Sequence, residues 1–188
     1  AADNASTAVA QNNSWGVDYQ VDDMKAYISA YNISNAYGIS IAYNALSSFS
    51  TTTTSINNYV DALNDFQDHG VVVFALSNDT TFTDADISAG FPEFFPELAE
   101  AWIAAVNVDI TGTVSSSTVS LQSAPCGQTG AYCLAADGTY VSNAGYSGNS
   151  DYKTLYTGTS FVAPQISGAV AILAEAFPNH TPDQWQDR

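Results

Sequence analysis

An α/β fold built on a parallel sheet is the class this sequence predicts, and three observations predict it. A helix-patterned stretch, "SINNYVDALNDFQDHG" (55–70), passes through one glycine into "VVVFAL" (71–76), which is short, continuous and β-branched. Such a run is the pattern of a strand buried on both faces, and a helix feeding it makes an α/β unit. "AWIAAVNVDI" (101–110) repeats the buried-strand pattern, and "GTSFVAPQISGAVAILAEAF" (158–177) places a serine just before the most apolar stretch of the chain. The chain has 188 residues, 46% of them hydrophobic, enough for one domain with a sizeable core.

Taken in order, "TAVAQNNSW" (7–15) alternates well enough for a strand running into a polar turn, and "VDDMKAYISAY" (21–31) has helical spacing. Residues 32–54 are weakly patterned and expected to be loop-rich. In the helix over 55–70, Ser55 is the expected cap, Tyr59, Leu63 and Phe66 share a face, and Gly70 is the stop. "SNDTTFTDADISAG" (77–90) reads as a long polar loop. "TVSSSTVSLQS" (113–123) reads as an exposed strand, and "YCLAADGTYVSN" (132–143) as a strand with a turn at Asp137–Gly138. Residues 144–157 read as a Gly/Ser/Asn/Tyr loop, followed by a helix from about 159 to 176 that is apolar nearly all round and so expected to be buried. The end, "TPDQWQDR", looks like a helix just begun, with Thr181 as cap and Pro182 at its first position. Both ends read as cut through secondary structure, so 1–188 is expected to be one partial domain of a larger polypeptide.

Charge narrows the function classes. Lys and Arg total 3 against 19 Asp and Glu, a formal net charge of −16. Phosphate contacts need Lys and Arg, so nucleic acid is excluded as a partner, and anionic membrane surfaces equally. No run of 18 apolar residues appears, so no membrane insertion is expected of this segment. An acidic surface suits a secreted protein and is compatible with calcium, yet no D-x-D-x-D-G loop occurs; no cofactor or metal site is assigned. Cys126 and Cys133 are spaced poorly for zinc. They fit a small disulfide loop of an oxidising compartment, or else two free buried thiols.

Ser160 would sit where a helix starts. Unpaired backbone N–H groups and the positive end of the helix dipole converge there on any oxyanion formed at the serine. The plainer reading makes Thr159 or Ser160 a helix cap. The motif "GTSFVAP" with its small-residue helix resembles the nucleophile helix of the subtilases, the subtilisin-like serine peptidases. "VVVFALSND" (71–79) is similar to the family's strand ending in an oxyanion asparagine, here Asn78, with Ser77 where glycine is usual. "NNSWG" (12–16) resembles the edge segment that pairs with extended substrate, and "FPEFFPELAEAWIAAVNVD" (91–109) the segment whose aromatic–proline pair borders the substrate pocket. The cysteine loop with "CLAADG" looks most like the autotransporter branch, exported by Gram-negative bacteria.

The resemblance runs from about residue 7 to 188. It implies a subtilisin-like parallel sheet with helices on both faces, incomplete at its N-terminal side. It also implies Ser160 as nucleophile, Asn78 in the oxyanion site, and substrate contacts from Ser14, Trp15, Gly16, Ala75, Leu76, Ser77 and Gly90. A cis Phe91–Pro92 bond is implied as well. The family's D-x-G and H-G-T-x-x-A-G motifs normally lie well upstream of the "NNSWG" segment, and neither is among the eleven residues that precede Asn12 here. His69 reads as a surface residue at a helix end, and His180 as lying far from Ser160. A serine without a base is a weak nucleophile, so this chain alone is expected to be inert.

The leading expectation is therefore the C-terminal two-thirds of the catalytic domain of a secreted or cell-surface serine endopeptidase. A missing N-terminal segment or another subunit would supply Asp and His, and the substrate would be a polypeptide. Exposed apolar surface is expected beside 7–15 and 71–76 for that partner to cover. The alternative is a catalytically dead module serving as a structural or adhesive surface unit; a carbohydrate-binding module, resting on exposed Trp and Tyr, is a distant third.

Overall fold

The computed structural model describes residues 7–48, 50–113, 115–144 and 152–188. The centre is a sheet in which β1 (Ala10–Asn13), β2 (Val71–Ala75) and β3 (Trp102–Thr113) run parallel. β5 (Cys133–Asp137) pairs parallel with β3, and β4 (Ser116–Leu121) pairs antiparallel with the far half of β3. β6 (Val141–Ala144) and β7 (Tyr152–Tyr156) form a separate antiparallel pair.

β2 shows why the sheet is sandwiched. Successive side chains point to opposite faces. Val72 and Phe74 pack with Trp102 against α2 (Asn35–Leu46) and α3 (Thr53–Gln67). Val71, Val73 and Ala75 pack with Ile103 and Ala105 against Val162, Ala163, Ile166 and Val170 of α4 (Thr159–Ala176). Trp185 of α5 (Pro182–Gln186) closes the same face. Phe74 stacks on Trp102 with centroids 5.0 Å apart, and Phe91 meets both edge-on. The fold class is thus the expected one, with helices on both faces of a parallel sheet.

Several local expectations are corrected. Residues 35–46 are a helix, capped by the Ser34 side chain. Its buried residues are Ala36, Gly38, Ile39, Ser40, Ala42 and Tyr43, a face in which glycine, serine and alanine blur the apolar period. Gly38 lets α2 close on α1 (Val21–Tyr31), because a Cβ there would lie 2.6 Å from Ile28 Cγ1. α3 begins earlier than expected: Thr52 is the cap and Ser55 the reciprocal partner three residues in. Residues 133–144 form two strands in two sheets, and 152–156 form β7; the rest of the expected 144–157 loop, 145–151, lies outside the described residues.

In the segment 77–90 the stretch 78–83 is largely exposed, as a polar loop should be, but 84–90 is buried, because Asp84, Asp86 and Ser88 accept backbone N–H groups. α4 is buried at Thr159 and along the stripe Val162, Ala163, Ile166, Val170 and Ala174, while Ile172 is 69% exposed. By length and hydropathy alone α4 would suffice to cross a membrane, but that buried stripe seats it on the sheet. β2 exposes no apolar surface, and β1, which pairs with β2, carries mainly polar side chains; among the described residues the expected apolar surface beside 71–76 is not found.

Cys126 and Cys133 form a disulfide with Cα atoms 6.0 Å apart. Closing so short a loop contributes about 2–3 kcal/mol by loop-closure entropy. Gly127, beside it, has φ +48°, and a Cβ there would sit 1.8 Å from Asp84 Oδ1.

Candidate active site

The C-terminal end of β2, the turn after β1 and the N-terminus of α4 enclose a cleft of about 220 Å³. Ser14, Trp15, Gly16, Ala75, Leu76, Ser77, Asn78, Thr159 and Ser160 line it, as do three carboxylates, Asp18, Asp79 and Asp86. Open parallel sheets place their sites at this end, where strands stop and loops from several crossovers meet.

α4 is positioned backbone-first. Gly158 precedes it and donates its N–H to Gly138 O at 3.0 Å; a Cβ on Gly138 would meet Gly158 O at 2.6 Å, so the approach needs glycine. Gly158 is the cap position and no side chain caps the helix, so neither Thr159 nor Ser160 is spent on capping. Thr159 donates its N–H to Asn78 Oδ1 at 2.9 Å, and its hydroxyl to Leu76 O at 2.6 Å. These bonds tie the start of α4 to the end of β2. They fix Asn78 through its oxygen, and no protein acceptor is found for its Nδ2 among the described residues. Ser160 is half-buried, and its hydroxyl donates to Ser14 O at 3.3 Å. The Ser14 hydroxyl returns a bond to Ser160 O at 3.2 Å. A weakly held serine and an amide donor therefore share one cleft.

Two of the three carboxylates, Asp18 and Asp86, were not legible in the sequence. Asp86 is 1% exposed; its Oδ2 accepts the Ser77 N–H at 2.7 Å, and its Oδ1 those of Ser88 and Ala89 at 3.0 and 3.2 Å. Burial pushes its carboxyl up to about 6, against the pull of these three donors, with nearby Asp18 adding to the rise. Asp18 Oδ1 accepts the Ser77 hydroxyl at 2.6 Å. Hydrogen bonds from the Thr81 side chain and backbone hold Asp79 below the usual carboxylate range. Thr159 and Asp79 adjoin motif residues and could have been read from them. Asp18 and Asp86 reach the cleft only through the folding of 16–20 and 84–89, for which no local pattern exists.

Two expectations fail here. Gly90 does not line the cleft: a Cβ on it would meet Val21 Cγ2 at 2.4 Å and Asp86 O at 3.0 Å, so it packs beneath α1. The Phe91–Pro92 bond is trans. Both residues belong to a 3₁₀ turn, closed by Glu93 N–H to Gly90 O and Phe94 N–H to Phe91 O, and both are buried away from the cleft.

Neither histidine is near Ser160. His69 stands before β2, with its ring against Phe66, at the opposite end of the strand from Asn78. At ~3.3 Å per residue that separation is about 25 Å. It is half-buried rather than on the surface, and its Nε2 has no partner among the described residues. His180 follows α4 and stacks on Phe177, about 25 Å from Ser160 at ~1.5 Å rise per residue. Among the described residues no group of three or more His, Cys, Asp or Glu is arranged to hold a metal ion.

A serine and a side-chain amide share one cleft at the C-terminal end of a parallel sheet, an arrangement chemically suited to holding an oxyanion. Comparison with known proteins gives the family: residues 3–188 match the subtilase (Peptidase S8) family model, and the chain belongs to that family. It is 26% identical over 136 residues to an extracellular serine protease of Serratia marcescens. It is 33% identical over 121 residues to serotype-specific antigen 1 of Mannheimia haemolytica. Each match covers 62% of this chain but only 12% of the relative's length. Among solved structures, Sphericase superposes with a TM-score of 0.50 at 17% identity, covering 88% of this chain and 53% of that one. The prenylagaramide maturation protease PagA gives 0.51 at 17% identity, covering 71% of this chain and 43% of that one. At such identities these two show a shared fold.

Proposed function

We propose that this chain is the nucleophile-bearing part of a secreted subtilisin-like serine endopeptidase, with Ser160 as nucleophile and Asn78 in the oxyanion site. The observation that carries the reading is the Thr159–Asn78 hydrogen bond, which ties the oxyanion amide to the turn that presents Ser160. In this reading Ser160 Oγ attacks a substrate carbonyl and its proton passes to a histidine supplied from outside 1–188. The carbonyl oxygen, now negative, accepts from Asn78 Nδ2 and the Ser160 N–H. The C–N bond then breaks, and the amine leaves with the proton. Asp and His come from an upstream segment of the same polypeptide or from another subunit. The acidic charge, the disulfide and the names of the two relatives support export to the cell exterior or surface, as in an autotransporter of a Gram-negative bacterium.

The test is labelling of Ser160 by a fluorophosphonate. The isolated chain should remain unlabelled, and co-expression with the upstream segment should produce labelling that Ser160→Ala abolishes. One observation favours a second reading: no histidine of this chain lies near Ser160. A module that has lost its acid–base pair and serves as a surface or assembly unit would never be labelled, with or without the upstream segment.

A further inference from the structure

The cleft beside Ser160 is anionic in a way that nucleophilic catalysis does not require. Its charged lining is Asp18, Asp79 and Asp86, with no Lys, Arg or His. Two cations of this Lys- and Arg-poor chain are engaged elsewhere: Lys25 bonds Glu93 and Gln128, and Arg188 lies over the Phe177 ring. Buried carboxylates are ordinarily paired with a cation or metal. Asp86 is buried with backbone donors only. It also sits at the floor of the cleft, since a Cβ on Gly16 would lie 3.2 Å from Asp86 Oδ1. Asp18 spends Oδ1 on the Ser77 hydroxyl, and no partner is found for its Oδ2 among the described residues. The Trp15 indole forms a wall and packs on Phe74, so it offers a fixed face to a long aliphatic stem or a planar cation.

We propose that this cleft selects a lysine or arginine side chain on the substrate residue whose carbonyl Ser160 attacks, with Asp18 the principal specificity-determining carboxylate. The inference rests on the peptidase reading for its place in the substrate, and on the cleft alone for its chemistry. An acidic substrate residue would meet three like charges, which is as discriminating as the attraction of a basic one. Ser77, standing where a glycine is usual, narrows the cleft and holds Asp18 by its hydroxyl.

The experiment uses the longer polypeptide that carries this chain with its upstream segment. Peptide anilides differing only at the residue before the scissile bond (Arg, Lys, Leu or Glu) are compared by kcat/KM. Arg and Lys are expected to exceed Leu by roughly tenfold or more, and Asp18→Asn to reduce the Arg-to-Leu ratio by about the same factor. Leu equal to or above Arg, or a ratio unmoved by Asp18→Asn, overturns the proposal. Benzamidine binding by calorimetry reads the cleft without turnover. Saturable binding that weakens in Asp18→Asn is expected, in the Ser160→Ala protein as well. Such binding without cleavage of any peptide would sink the peptidase reading and keep the anionic, cation-selecting cleft. Cleavage without preference and without benzamidine binding would do the reverse, and neither cleavage nor binding would sink both.

Discussion

At its N-terminal end β2 enters the sheet from α3 through Gly70, where an added Cβ would lie 2.5 Å from the Phe66 ring. At its C-terminal end it releases Ser77 and Asn78 into a cleft shared with Ser14 and Ser160. The first end is closed by the Phe66 ring and by backbone-to-backbone hydrogen bonds, and holds a histidine with no catalytic neighbour. The second is closed by hydrogen bonds: Thr159 to Leu76 and Asn78, Ser77 to Asp86 and Asp18. The difference teaches that one strand serves packing at one end and borders the proposed catalytic cleft at the other, and that polar groups gather where backbone donors from several loops can satisfy them.

The largest way to break this arrangement is to remove what both ends share. Phe74→Ala deletes a fully buried ring stacked on Trp102, and should cost about 3–5 kcal/mol. Urea denaturation of the variant should show that loss; a cost below about 1 kcal/mol would mean the strand is not the centre of the core.

Asp86 sharpens the contrast, because it makes the cleft end pH-dependent. The unfolded chain binds this proton with a pKa near 3.8 and the folded chain with one of about 6. The folded state therefore holds more protons between those values, and stability from this group is present below about pH 4 and lost as pH rises through 6. Relative to Asp86→Asn, the unsubstituted protein should lose about 3 kcal/mol between pH 4 and 7.5. A stability difference that stays flat across this range would show that the carboxyl is not buried as described.

Thr159→Val gives a smaller effect. It removes the hydroxyl that donates to Leu76 O, and should cost about 1–2 kcal/mol. Its effect on fluorophosphonate labelling in the longer protein should exceed that of Gly70→Ala, which strains the packing end. Equal loss of labelling from both variants would erase the distinction between the ends.

Much of this was legible in the sequence, for physical reasons that differ by segment. "VVVFAL" announces itself because both faces of the strand are apolar, and "GTSFVAP" because small residues crowd a serine ahead of an apolar helix. α2 was not legible, since Asn35, Tyr37, Gly38 and Ser40 are weak helix formers held by packing. The burial of 84–90 was not legible either: its polar residues read as solvated, and only the fold shows that their partners are backbone N–H groups. Asn78 and Ser160, 82 positions apart, were placed together by family resemblance, whereas Asp18 and Asp86 had no motif to reveal them.

The central claim is that the cleft end of β2 stabilises negative charge on a substrate oxygen through Asn78. Its most direct test is the kcat of this chain joined to a segment that supplies the proposed Asp and His, with Asn78→Ala compared with the unsubstituted protein on one peptide. Loss of one oxyanion donor should lower kcat by about 10²–10³-fold with little change in KM. A kcat within about twofold of the unsubstituted protein's would contradict the assignment of Asn78 and, with it, this account of the cleft.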